Sequence, residues 1–397
     1  MNVMLPKPAV LLTFLLCSAV CAGQANAQMG TATPLHVAVL APLYVDSVFE
    51  EDNFKGSIPL PKYMQPGLEF YNGVMMAVDS LQKEHVPAEV WVFDTRKKQQ
   101  STEVLLSILD TCNLSLIIAS ISSAAEQQAL SNYAFNKNIP FISATYPNDA
   151  GVTGNPFYAI INPTLKTHAE GVYKYVQRNY IGTKVYYVTR NGGMESRIKS
   201  YFDGMAAKTA ALKYKLLQLP DGFNASNIRQ LADTTQPAVF ICGSLDDNFS
   251  LGLVRALSTI SFGGQVTAVG MPTWEGTKAL AAEDCRNVNI VYSTPYNFNR
   301  ADKVLAGIAD AYQAAYNARP GDMVFKGYQA MYHFTHLLVN YNSSGMMANL
   351  SNPAYNVTGN YDFQPVHLSA ASFVPDYLEN KKLYFVKMLN GVVKPVN

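Results

Sequence analysis

Two short apolar runs in the first third of the chain restrict its fold more than any other feature. They are Leu114-Ser115-Leu116-Ile117-Ile118-Ala119 and Ile139-Pro140-Phe141-Ile142-Ser143-Ala144, each followed at once by small polar residues. Apolar character on consecutive residues, without alternation, reads as a strand buried on both faces, which is the mark of a parallel sheet. After the first run, Ser122-Ser123 leads into Ala124-Ala125-Glu126. Ser123 and Glu126 have the spacing of a capping box that opens a helix. A strand end, a hydroxyl pair and a helix N-terminus therefore share one turn. Its backbone N–H groups and hydroxyls suit a carboxylate or another anionic or strongly polar group. The same signature also marks an ordinary helix cap in a strand–helix loop.

The alternation runs through most of the chain. Leu35 to Leu43 reads as a first strand, followed by a long polar loop containing Pro59, Pro61 and Pro66. Leu68, Tyr71, Met75, Val78 and Leu81 recur at helical spacing. Val90–Asp94 is a strand and Thr102–Leu109 a helix. From Leu165 the alternation starts again, with strands at 184–189, 214–219, 238–242, 265–269 and 288–292 and helices between them. Two long helices, 301–317 and 325–340, then precede a β-prone tail in which Asn390-Gly391 signals a hairpin. The fold class is α/β, with two doubly wound parallel-sheet lobes. A length of 397 residues agrees with two lobes.

The N-terminus reads as a targeting segment. Lys7 is followed by an apolar run from Ala9 to Val20, too short to span a bilayer comfortably. Ala25-Asn26-Ala27 fits a cleavage site, so residues 1–27 are a signal peptide, cleavage follows Ala27, and the mature chain is periplasmic. Lipid attachment at Cys21 is the competing reading, from which Val20 departs. Cys112, Cys242 and Cys285 remain in the mature chain. Cys242 ends a strand and Cys285 precedes one, which argues against a bridge between them and favours buried thiols.

A net charge of +1 leaves no electrostatic footprint for nucleic acid. Arg96-Lys97-Lys98 reads as a solvated loop. No Cys/His spacing suggests a metal, no cofactor motif occurs, and the chain lacks a Gly-x-Ser-x-Gly elbow, a phosphate loop and a helical zinc motif. His36 reads as a strand histidine, and His333 and His336 as packing or surface residues. With no nucleophile–base–acid set to assemble, the protein is not read as an enzyme.

The order of these elements resembles the type I periplasmic solute-binding proteins, in the branch that serves branched-chain amino-acid ABC importers. The residues that carry the resemblance are Val37-Ala38-Val39-Leu40-Ala41-Pro42, Phe70–Ala77, the Ser122-Ser123 turn and Ile139–Thr145. The resemblance implies a chain that crosses three times between lobes closing on a ligand. Lobe one would comprise 35–162 plus 296–342, and lobe two 163–295 plus 343–397. It places ligand contacts at Ser122, Ser123, Thr145 and the backbone of Ala144. On lobe two, the place where the family commonly presents an aromatic falls on Met194. The acid that takes a ligand's ammonium falls on Glu275, with Asp246 as competitor. Tyr44 could line the cleft, and Trp274 could stack on a ligand or plug the lobe. Ser122, Ser123 and Thr145 are expected on one wall, with Trp274 and Glu275 facing them.

The function that follows is capture of a small polar solute, an amino acid or amino-acid-like compound, for an ABC permease, without cofactor or chemistry. The alternative is a non-transport envelope receptor or scaffold, linked to peptidoglycan or another cell-envelope partner, with a degenerate cleft.

Overall fold

The computed structural model describes residues 34–396 except 52, 57–58, 99, 234, 261–264, 298, 300–301 and 370. The signal segment, its cleavage after Ala27 and the alternative at Cys21 lie outside the described residues. The chain begins with β1 (Leu35–Ala41), a short flap of β2 (Phe49–Glu50) and β3 (Asn53–Phe54), then α1 (Gln65–Lys83), β4 (Ala88–Asp94) and α2 (Thr102–Leu109). It continues with β5 (Leu116–Ala119), α3 (Ala124–Lys137), β6 (Phe141–Ser143) and β7 (Tyr158–Ile160). A second series follows: α4 (Leu165–Asn179), β8 (Lys184–Thr189), α5 (Gly193–Lys208), β9 (Lys215–Gln218) and α6 (Ala225–Leu231). It closes with β10 (Ala238–Cys242), α7 (Asp247–Ser258), β11 (Val266–Gly270) and β12 (Val288–Thr294). The last elements are α8 (Lys303–Tyr316), α9 (Asp322–Ala348), β13 (Phe363–Val366), β14 (Tyr377–Asn380), β15 (Tyr384–Leu389) and β16 (Val392–Val396).

These strands build two seven-stranded sheets, ordered β13-β14-β7-β6-β5-β1-β4 and β16-β15-β12-β11-β10-β8-β9. Pairing is parallel except where β13 meets β14, β12 meets β15 and β15 meets β16. Each sheet is covered on both faces, which explains why its central strands read as continuous apolar runs. In the first sheet, Val37, Val39 and Ile118 pack against Phe70, Val74, Met331 and Phe334 of α1 and α9, while Ile117 and Phe141 pack on the other face with Leu105 and Leu130. In the second, Phe240 packs with Leu253 of α7, and Ile241 with Val172 and Phe202 of α4 and α5.

Helices α1 and α9 meet backbone to backbone. A Cβ on Gly73 would lie 1.9 Å from the Val324 carbonyl oxygen, and one on Gly327 would lie 2.1 Å from that of Phe70. Only glycine permits this approach.

The tail departs from expectation. Residues 343–380 were placed with the second lobe, but β13 and β14 are hydrogen-bonded into the first sheet, beside β7. Only β15 and β16 join the second, through the hairpin whose turn is Asn390 (φ 52) and Gly391 (φ 77). The chain therefore crosses between sheets after β7, after β12 and after β14.

The first and third crossings are fastened to each other. Asn380 Nδ2 donates to the Ile161 carbonyl (3.1 Å). Glu379, 1 % exposed on β14, accepts from Thr164 N (2.7 Å), Thr164 Oγ1 (2.9 Å) and Thr167 Oγ1 (2.6 Å), and pairs with Lys381. A carboxylate from the first sheet thus meets the N-terminus of α4, where the helix dipole favours negative charge.

Candidate functional site

In a parallel sheet the loops that carry a site lie beyond the carboxyl ends of the strands. On the first sheet these are the loops after β1, β4, β5 and β6. Register pairs Ala119 of β5 with Ser143 of β6, so the loops that follow are neighbours. Ser120 Oγ and Thr145 Oγ1 are 3.1 Å apart, Ser120 being buried and Thr145 half-buried.

Beside them α3 begins. Ser123 is its N-cap and accepts from Glu126 N (3.3 Å). The reciprocal half of the expected capping box is absent, because the Glu126 carboxylate turns to Arg96 instead (2.7 and 3.3 Å). Arg96 Nη2 also donates to Ser122 Oγ (3.4 Å). Burial works against the Arg96 charge, but Glu126 and Tyr44 hold its pKa above the ordinary value. Of the expected basic loop, Lys97 and Lys98 are exposed, whereas Arg96 is half-buried against Glu126 and Ser122. Among the described residues, no protein group accepts from the backbone N–H of Ser122, Ser123, Ala124 or Ala125. The result is an open helix N-terminus with hydroxyls at its rim.

The loop after β1 makes another N–H concavity, but the protein fills it. Tyr44 adopts a left-handed conformation (φ 56), and Asp94 accepts from the N–H groups of Leu43, Tyr44 and Val45 at 2.9, 3.1 and 2.8 Å. The half-buried Tyr44 ring packs edge-on against Tyr63, centroids 4.8 Å apart.

Ala144 was expected to offer its backbone to a ligand. Both groups are already used: its N–H donates to Ala119 O (2.8 Å), and its carbonyl accepts from Tyr296 Oη (2.7 Å). Sheet pairing takes the first, and the second crossing takes the other.

On the second lobe one expectation changes, that of Trp274, while Asp246 takes the helix N-terminal place that its sequence position also allowed. Trp274 does not face the cleft; it is 2 % exposed, packs in the core beneath the sheet, and occupies the space a Cβ on Gly270 would need. Asp246 caps α7 by accepting from Phe249 N (2.7 Å) and lies 3.4 Å from Arg190 Nη2, so it is a structural charge. Arg190 also holds Asp221 and the buried Glu195, each at 3.0 Å, and Glu195 accepts from Ser244 Oγ (2.7 Å). Burial opposes the Glu195 charge; Ser244, its own backbone N–H and Arg190 overcome this and lower its pKa. Met194, at the start of α5, is 43 % exposed and presents an apolar surface.

Glu275 lies in the short turn after β11, at residues 272–276. Solvent reaches its side chain, yet enough protein from both lobes surrounds it that desolvation raises its pKa, against the opposing effects of Lys326 and of the Thr294 hydroxyl. Thr294 Oγ1 donates to its carboxylate (3.1 Å) and accepts from Tyr296 N (3.2 Å). Lys326 of α9, on the first lobe, stands over the Tyr296 ring with Nζ 4.2 Å from the centroid. Sequence reasoning missed Ser120, Arg96, Tyr296 and Lys326. Ser120 directly follows the first apolar run, but a hydroxyl that points to its neighbour's loop carries no local signal.

No protein-family model matches the chain, and no curated relative is recognisable from its sequence. Solved structures do match. A candidate branched-chain amino acid ABC transporter protein from Rhodospirillum rubrum aligns over 91 % of this chain and 100 % of its own, with TM-score 0.65 and 14 % identity. An ABC transporter substrate-binding protein from Desulfitobacterium hafniense, in complex with Leu, covers 91 % of this chain and 100 % of its own (TM-score 0.58, 11 % identity). An ABC transporter solute-binding protein from R. palustris, in complex with benzoate, covers 92 % and 96 % (TM-score 0.53, 14 % identity). The fold is that of the type I periplasmic solute-binding proteins, as the sequence resemblance implied.

Proposed function

We propose that the protein is an extracytoplasmic solute-binding protein that captures a small solute bearing a carboxylate in the cleft between its lobes and presents it to an ABC importer. The observation that carries this reading is the open N-terminus of α3, with Ser120 and Thr145 hydroxyls 3.1 Å apart at its rim. Elsewhere on the cleft edge the protein's own carboxylates fill the equivalent places: Asp94 after β1, Glu195 at α5 and Asp246 at α7. The solute's carboxylate would take hydrogen bonds from N–H groups at 122–125 and from the two hydroxyls. Each charge-assisted bond is worth roughly 1.5–3 kcal/mol. Glu275 would take an ammonium from the facing lobe. Two structural neighbours hold leucine and benzoate, which share a carboxylate on an apolar body. The solute is bound and released unchanged, and lobe closure by hinge bending buries it.

A second reading is an envelope receptor or scaffold. The engagement of Asp246 with Arg190 and the burial of Trp274 favour it, since both remove ligand groups from the second lobe.

A thermal-shift screen of amino acids, aromatic acids, short peptides and muropeptides separates the two. A ligand at a hundredfold its dissociation constant adds about 2.7 kcal/mol. Calorimetry on Thr145→Val should then show a ten- to hundredfold loss for the solute found. A silent screen supports the scaffold. Unchanged affinity in a folded Thr145→Val protein overturns the location.

A further inference from the structure

Tyr296 measures out the hinge side of the cleft. Its hydroxyl donates to Ala144 O, next to Thr145 at the α3 end (2.7 Å), and its backbone N–H meets Thr294 Oγ1, which holds Glu275. Lys326 lies over the ring between those ends, 4.2 Å from its centroid. Tyr296 thus links the loop beside the α3 N-terminus, the Thr294–Glu275 pair and the Lys326 ammonium through its own contacts. Asp322, one turn earlier on α9, belongs to the same group, since its charge reaches both Glu275 and Tyr292. Among the described residues no carboxylate lies within ion-pairing distance of Lys326, whose close partner is the Tyr296 ring.

Resting on the capture reading above, we infer that Lys326 is a ligand-contacting residue that reads a second anionic group, and that the solute is an α-amino dicarboxylic acid. Its α-carboxylate meets the α3 N-terminus, its ammonium meets Glu275, and its side-chain carboxylate meets Lys326. A solute with an apolar side chain would occupy Glu275 with its ammonium and leave the Lys326 ammonium facing an apolar group as the lobes close, and desolvating a charge without a compensating partner there opposes closure. A side-chain carboxylate turns that penalty into a cross-cleft ion pair.

The test is calorimetry of L-glutamate, L-glutamine and L-leucine on the full mature chain, its Lys326→Gln variant and its Lys326→Arg variant. Wild type should bind glutamate at least tenfold more tightly than glutamine or leucine. Lys326→Gln should collapse the glutamate-to-glutamine ratio toward one, and Lys326→Arg should restore most of it. Glutamine or leucine binding wild type as well as glutamate overturns the inference, as does a ratio that survives Lys326→Gln. If none of the three binds, the dicarboxylate class is wrong; the capture reading falls only if the wider screen is silent too.

Discussion

His168 offers a test of how the second lobe is held together. It sits in the first turn of α4, is 4 % exposed, and its Nδ1 lies 2.8 Å from Ser293 Oγ on β12. Burial pushes its pKa down from 6.5 to about 3. The native protein keeps the ring neutral while the unfolded chain takes a proton. Stability is therefore intact above pH 6.5 and is lost as pH falls toward 3, with a slope approaching about 1.4 kcal/mol per pH unit. Between pH 7 and pH 4.5 this one residue should cost about 2.5 kcal/mol. His168→Gln keeps a polar partner for Ser293 but cannot take up a proton. Urea unfolding of both proteins from pH 7.5 to 4.5, followed by fluorescence, reads the difference. The variant should be less stable at pH 7 because the packing changes, and the gap should shrink by about 2.5 kcal/mol by pH 4.5. A gap that stays constant across that range would mean that His168 is protonated in the folded protein, and that its burial against β12 is wrong.

Glu275→Gln should raise the melting temperature near neutral pH. Desolvation raises the native pKa of Glu275, so its contribution is most favourable when protonated and is lost as pH rises through that pKa; the variant's advantage should vanish in acid. An equal melting temperature at pH 7 would count against a cleft-facing carboxylate. Gly73→Ala should destabilise the first lobe severely, since the new methyl meets the Val324 carbonyl at 1.9 Å; near-wild-type urea stability would refute the backbone contact of α1 and α9. Glu379→Ala should cost about 3 kcal/mol or more, because Lys381 and the N-terminus of α4 lose their shared acceptor at once. Equilibrium unfolding measures it, and a loss below about 1 kcal/mol would show that the crossings are fastened by other means.

Much of the fold could be read in advance because its signals are local. The helix 102–109 matches α2, and the doubled apolar runs match β5 and β6. The Asn390-Gly391 turn closes β15 onto β16 because only residues tolerant of positive φ fit it. Strand β13 could be read only as a β-prone run near Phe363: Phe363-Gln364-Pro365-Val366 carries a proline and no clear alternation, and its place in the first sheet depends, through β14, on β7, some two hundred residues earlier. The site divides along the same line. The α3 cap at Ser123 follows from spacing alone. Trp274 was misplaced because its fate depends on Gly270 leaving room beneath the sheet, and Arg96 because its partner Glu126 sits thirty residues on, in the first turn of α3.

The late placement of β13 to β16 has a consequence for biogenesis. The first sheet cannot add β14, which joins β7 to the edge strand β13, until residue 380 has been synthesised, and the second lacks β15 until residue 389. A chain emerging from the ribosome can pair its central strands early, yet neither sheet is finished before residue 380 has been made. Contacts of such long range form slowly. The two halves therefore reach completion nearly together, and a nascent chain cut short by a few dozen residues leaves both with an open strand edge, the kind of surface on which other chains add and aggregate.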